Sequence, residues 1–401
     1  MLRFSLTTIV GADQQVPATR FLFQAKKLEH LHDPERVFTL SAEDIELVNP
    51  NTLTCPIFQS RYDAELTKKI YQRVPVLIRE AHNGRSEQNP WGISFMRMFD
   101  MSNDSHLFKT YQDLVQGGFE LNGNEFVLEK ERFVPLYESK MIQLYNHRHG
   151  DFADSNHERA HILPKIPEAR LANRDYLTMP YYWINSSDVG NALKGVGWSK
   201  KWFFAWRNVA DSRASARTLV TTVIPFCGVG NSLPIYMPSA VEPKLCALLL
   251  GNMSSLVIDY VARNKVGGLN FNYFIFKQLP VFDPGFYSKE NFDFIVPRIS
   301  KICCTSADML EFARDLGSSV IELDRESKSK IQAELDAYYA KLYGLSRGEL
   351  EFLLEPESIK PGYPSETFSV LKRNEEKEFG EYRTQRLVLE AWDMLEKGEL
   401  V

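Results

Sequence analysis

A mixed α/β region followed by a helical tail is the fold class this sequence predicts, on three observations. Residues 200–280 alternate strand-like and helix-like runs around a dense aromatic stretch, Trp202-Phe203-Phe204-Ala205-Trp206. Beyond position 285 the apolar spacing turns to the helical three-and-four pattern and stays there to the end. Hydrophobic residues make up 44% of the 401 positions and charged residues 25%, a composition that can bury a core and argues against disorder.

Taken in order, Phe4–Ile9 and Thr19–Ala25 read as strands joined at Gly11-Ala12-Asp13. Ser41 with Asp44 three residues on predicts a capped short helix, ended by Asn49-Pro50-Asn51-Thr52. Asp63 is the expected N-cap of a helix burying Leu66 and Ile70, stopped by Pro75. A strand over Trp91–Phe99, a helix about Asp104–Gln116 and a hairpin at Leu121-Asn122-Gly123-Asn124 follow. Phe133–Ile142 alternates, with Lys140 on its polar side, and the polar stretch 146–175 reads as a surface loop. Thr218–Pro225 is β-branched, Cys227–Gly230 a turn, and Pro243–Arg263 one long apolar helix. Further helices are expected over Phe292–Ala313, Asp324–Tyr343, a short one capped by Ser346, and Glu381–Glu396. The expected domains are thus 1–285, subdivided near 146–175, and a helical module over 286–401.

Charge is distributed unevenly. Residues 200–280 hold nine Lys/Arg against three Asp/Glu, a local +6, whereas the whole chain carries −5. The tail from 318 onward is net −6, with 18 acids and 12 bases. A basic segment rich in aromatics suits a polyanion, and an acidic tail does not. Arg213 and Arg217 stand four apart; on a helix they would share a face able to grip phosphates or guanine edges, or simply be solvated and paired with Asp211. Arg263 and Lys265 precede Gly267-Gly268, either as cations at a helix C-terminus or as a loop that lets backbone amides meet phosphate. Arg207 ends the aromatic strand, where Trp202 and Trp206 are expected as core. His147, His149, His157 and His161 include metal-compatible spacings but no completing acid or thiol, so solvated loop histidines are expected. Five scattered cysteines, no leader and no long apolar run fit a cytoplasmic protein without disulfides or membrane spans. The abrupt start, alternating like an interior strand, suggests the downstream portion of a longer polypeptide.

Several strings together carry a resemblance. Asn49-Pro50-Asn51-Thr52-Leu53-Thr54-Cys55-Pro56-Ile57-Phe58, Asn89-Pro90-Trp91-Gly92 through Asp100–Ser105, Pro135–Ile142, Asp259–Gly268 and Asn272–Pro280 resemble the region beyond the catalytic domain of large adenine-N6 DNA methyltransferases. These are the type IIG restriction–modification enzymes and related phage-defence methylases. Leu342–Ser346 and Gly380–Thr384 are similar to that family's helical tail. The resemblance implies a target-recognition region that closes one side of a DNA cleft while a base is flipped into a catalytic pocket opposite. It implies S-adenosylmethionine for the full enzyme, and double-stranded DNA, an upstream methyltransferase domain or subunit, and restriction or helicase subunits as partners.

The catalytic half is not expected within this chain. Neither Asn49-Pro50-Asn51-Thr52 nor Asn89-Pro90-Trp91-Gly92 has the second proline and aromatic that hold an exocyclic amine. Gly228-Val229-Gly230 and Gly195-Val196-Gly197 are bare glycine pairs, so no cofactor is expected on this chain and no residue is assigned as catalytic. The DNA-contacting candidates are Arg207, Arg213, Arg217, Arg263, Lys265, Gly267, Gly268, Asn270 and Lys140. The competing expectation is a scaffold that assembles a defence complex and binds no DNA itself.

Overall fold

All five residues of strand Trp202–Trp206 are buried, and their alternation divides the molecule into two cores. Trp202, Phe204 and Trp206 face a large core built with the helices; Phe203 and Ala205 face a smaller one shared with a second sheet. The computed structural model describes residues 5–11, 13–14, 16–82, 84–155, 159, 162–209, 215–239, 241–364 and 367–400. It is mixed α/β, 42% helix and 16% strand, with a helical C-terminal region.

Trp202–Trp206 pairs antiparallel with Thr221–Pro225 on one side and Ile235–Pro238 on the other, and Ile93–Met96 closes that sheet. The second sheet runs Lys109–Thr110, Tyr182–Asn185, Glu131–Tyr137, Glu125–Leu128, Glu120–Asn122, with Gly228–Val229 added parallel to Glu131–Tyr137. Its hairpin turns at Gly123, whose φ of 65° favours glycine, as the Asn-Gly pair predicts. A small third sheet pairs Thr19–Phe21 with Phe38–Leu40. Ser5–Ile9, expected as a strand, is exposed and unpaired, and Phe4 lies outside the described residues.

Helix caps follow the sequence closely. Ser41 and Asp44 form a reciprocal capping box on Ala42–Val48, and Ser346 with Glu349 does the same on Arg347–Leu354. Helix Arg61–Arg73 is capped by Ser60 rather than Asp63. Asp63 sits three residues in, where its buried carboxylate accepts from the Ser60 and Tyr260 hydroxyls.

The expected helix Pro243–Arg263 is two, Pro243–Ser254 and Leu256–Lys265, bent by 56°. Ser255 causes the break: its backbone is extended and its hydroxyl accepts from Ile258 N–H, capping the second helix. The freed Leu256 N–H donates to Asp336 at 2.7 Å, so a distant helix completes the bend. Among the described residues no single helix is long and apolar enough to cross a membrane.

The large core runs from Val48 to Trp392, so residues on both sides of position 285 share it. Helices Arg325–Leu342 and Arg383–Lys397 pack on one another, and the former also reaches Leu256–Lys265. Stretch 146–175 is only partly the surface loop expected. His147 and Arg148 are buried at 2% and 1% exposure, and the Arg148 guanidinium donates to the carbonyls of Leu171, Asn173, Tyr176 and Thr305. Desolvation there is offset by four charge-assisted hydrogen bonds, and the one to Thr305 ties the stretch to the tail.

Candidate nucleic-acid interface

Three of the strings behind the methyltransferase resemblance, 49–58, 259–268 and 272–280, meet in space. Asn51 donates its side-chain amide to Ile78 O and accepts from Glu80 N–H, while its own N–H donates to Gln278 Oε1 at 3.0 Å. Gln278 Nε2 donates to Phe274 O and Thr52 Oγ1. Ile57 N–H reaches Asn264 O at 2.8 Å, and Leu77 and Ile78 pair with Leu279 and Lys277. Proline explains part of this. Pro50 ends the first helix beside Asn49, whose amide then caps the turn by donating to Thr54 O. The result is one hydrogen-bonded shoulder made from segments more than two hundred positions apart.

Lys265 holds that shoulder from below. Its ammonium donates to Val48 O at 2.7 Å and to Asn49 Oδ1, and lies 4.9 Å over the Tyr71 ring. Burial pushes its pKa well below the usual lysine value. Lys265 therefore binds the chain's own backbone.

Arg217 and Arg263 are likewise turned inward. Arg217, 7% exposed, contacts Asp336 at 3.2 Å and Asp259 at 3.9 Å; both carboxylates are 2% exposed. Arg263 Nε lies 3.5 Å from Asp259, and its Nη2 donates to the carbonyls of Ser215 and Ala216. Asp259 also accepts from Thr218 and Leu219 N–H. Two guanidiniums and two carboxylates thus clamp the chain as it enters strand Thr221–Pro225, and Phe368 from the tail roofs them. Burial raises the Asp336 pKa to about 6 against the opposing pull of Arg217, and burial lowers that of Arg263.

Arg207 donates to Ile142 O, with burial lowering its pKa. Lys140 pairs with Glu138 at 3.3 Å and lies over Phe152. Arg213 lies outside the described residues. Comparison with family models, curated proteins and solved structures gives no match.

What the shoulder presents to solvent is the short loop Gly267, Gly268, Leu269, Asn270, all exposed, between buried Val266 and buried Phe271. Asn270 pairs with Val209 in an isolated bridge, and Phe271 N–H donates to Asn208 O at 2.6 Å. Trp206 Nε1 donates to Phe271 O, fixing the loop to the aromatic strand. Leu53, Val209, Leu269 and Phe274 are each more than half exposed. Around them stand Arg97 over the Tyr273 ring and the 79–88 turn bearing Arg79 and the exposed Arg85.

Gly267, Gly268 and Asn270 are thus the predicted site residues that the structure gathers on one surface, while Arg207, Arg217, Arg263 and Lys265 turn inward to protein groups. Asn49, Asn51 and Gln278, the hubs of the shoulder, were not among the sequence candidates; the Asn-Pro-Asn-Thr string was the signal that could have raised the first two.

Gly228-Val229-Gly230 is packed within the fold. Gly228 lies in a buried strand, where a Cβ would run into Ile184 and Leu136, so its bareness serves packing. His147 Nε2 is shared between Asp308 and Ser306, inside the protein. Burial, then Arg207 and Lys165, lowers the His149 pKa to about 4. His157 and His161 lie outside the described residues, and no cluster of three metal-ligating side chains exists among those described.

Proposed function

We propose that this chain is the target-recognition region of an S-adenosylmethionine-dependent adenine-N6 DNA methyltransferase, with catalysis supplied by an upstream domain or another chain. The observation that carries the reading is the convergence of strings 49–58, 259–268 and 272–280 on one shoulder, with the Gly267–Asn270 loop left outward on a rigid base. Recognition loops on rigid scaffolds are how base edges are read while flanking groups hold the backbone. In this reading Gly267, Gly268 and Asn270 meet the duplex, Arg97 flanks it, and Arg263 and Lys265 position the loops. Arg213 keeps its place as a sequence candidate.

A second reading, a protein-docking scaffold that binds no DNA, draws on the exposed Leu53, Val209, Leu269 and Phe274 and on the inward cations. The two separate on the salt dependence of duplex binding by the full chain. With two or three phosphates neutralised, affinity for a random-sequence duplex pool falls about 10- to 40-fold between 50 and 200 mM salt. Repeated selection from that pool then enriches one sequence. No binding at the lower salt, or binding without enrichment, rejects the recognition reading.

A further inference from the structure

We propose that the cavity between helix Arg61–Arg73 and the hairpin of strands Thr19–Phe21 and Phe38–Leu40 binds a small organic phosphate monoester, with Arg20 and Arg61 as the groups that grip the phosphate. None of the residues that line it belongs to the shoulder or to the groups assigned to the duplex, so this site stands apart from the recognition reading.

The cavity holds about 520 Å³, a volume typical of small-molecule sites and far more than a bare phosphate ion fills. One wall is a single helical face, because Arg61, Ala64, Glu65 and Lys68 fall at i, i+3, i+4 and i+7. A second wall is the hairpin, where Arg20 and Thr39 are direct cross-strand partners and so share one side. Buried Phe38 and Ala64 supply an apolar floor. The loop after the turn Leu28–His32 closes the remaining side and is held in place: Arg61 N–H donates to Glu35 O at 2.8 Å, and Glu35 pairs with Lys360 of the tail.

The charges on these walls decide the ligand class. Asp33 is matched by Arg36 at 3.4 Å and Lys68 by Asp44 at 3.3 Å. Arg20 is exposed and, among the described residues, its side chain has no partner. Arg61 directs Nε and Nη2 at Val37 O, both at 3.4 Å, which orients the guanidinium and leaves Nη1 over. Neighbouring surface cations are treated otherwise: Lys69, on the same helix, pairs with Glu349 at 2.6 Å. Two guanidiniums on two walls of one cavity, neither held by a carboxylate, suit the oxygens of a phosphate, which their planar forks match. Glu65 is exposed and likewise unpaired among the described residues; a carboxylate there accepts from a hydroxyl or amine on the organic part of the ligand.

The test is isothermal titration calorimetry of the full chain at fixed ionic strength with adenosine monophosphate, ribose monophosphate, adenosine and inorganic phosphate. At least one of the two monoesters is expected to bind, more tightly than either adenosine or inorganic phosphate. Arg20→Gln should weaken that binding about tenfold, as the loss of one charge-assisted hydrogen bond does, with an unchanged thermal midpoint because Arg20 holds nothing in the fold. Lys69→Gln, one cation fewer on the same helix but outside the cavity, should leave it unchanged. No binding of either monoester at millimolar concentration, or an affinity that survives Arg20→Gln, overturns the site. So does an equal loss in Lys69→Gln, which would mean attraction by overall charge alone. Displacement of the monoester by a short DNA duplex would hand these arginines to a nucleic-acid backbone and overturn the small-molecule assignment.

Discussion

Removing Arg217 tests whether its charge serves the fold. Arg217 faces Asp336 at 3.2 Å and Asp259 at 3.9 Å, all three nearly sealed from water, with Arg263 as the second cation. In Arg217→Ala two buried carboxylates are left with one guanidinium, and breaking such a pair costs about 3–5 kcal/mol. Asp336 modifies that figure. Its pKa is raised to about 6, so at pH 7.5 it is mostly ionised and at pH 5 mostly protonated. With a neutral Asp336 the guanidinium has one fewer charge to balance, and the penalty should shrink by about 1–2 kcal/mol at the lower pH, on the scale of 1.36 kcal/mol per pKa unit. Urea denaturation of wild type and Arg217→Ala at both pH values measures this. A loss under about 1 kcal/mol at pH 7.5, or the same loss at both, would refute the ion-cluster account. The corollary concerns DNA assays: charge reversal at Arg217 would abolish binding by unfolding the clamp, so contact must be probed at exposed Leu269, Asn270 or Arg97 instead.

Three other outcomes follow from the same geometry. Lys265→Met removes the donor to Val48 O and Asn49 Oδ1 and should cost about 1–3 kcal/mol, with faster amide exchange at Asn51 and Ile57; unchanged exchange there would show that the shoulder stands without it. Gly228→Ala must displace Ile184 and Leu136, and overpacking of that kind costs about 1–3 kcal/mol or more; a thermal midpoint equal to wild type would contradict the packing role. His149 has a folded pKa of about 4, below its unfolded value near 6.5. Its contribution is therefore complete above about pH 6.5 and is lost as pH falls through 4, up to about 3 kcal/mol. His149→Gln should flatten the acid side of the stability profile, measured by urea midpoints from pH 7 to 4, and an unflattened profile counts against it.

Local signals in the sequence were legible where a few adjacent residues decide the outcome. Ser41 with Asp44, the Ser346 cap, the Asn122-Gly123 turn and the buried aromatic strand all form as their neighbours dictate. The bend at Ser255 was not legible, because a serine inside an apolar run breaks a helix only when the freed Leu256 N–H has another acceptor. That acceptor, Asp336, lies eighty positions away. The same holds for the cations. Arg217 meets Asp336 across 119 positions and Lys265 meets Asn49 across 216, separations no spacing rule reports. Only Asp259 and Arg263, four apart on one helix, carried a local hint that the charge was matched.

That matching changes what the +6 of residues 200–280 means. Arg207, Arg217, Arg263 and Lys265 face protein groups, while Lys200 pairs with Asp315 and Lys277 with Glu80. A local charge computed from sequence treats every cation as available to a polyanion, and here most of it is balanced inside the fold. A duplex meeting the shoulder would therefore find shape, amides and apolar side chains with few cations about them. Non-specific affinity scales with the phosphates neutralised, so this chain alone should hold random DNA weakly and with a shallow salt slope. Discrimination through Asn270 would persist, since base-edge readout does not depend on net charge. The bulk of phosphate binding would then fall to the catalytic partner. A steep slope, equivalent to six or more released counterions, would show instead that cations outside this shoulder carry the duplex.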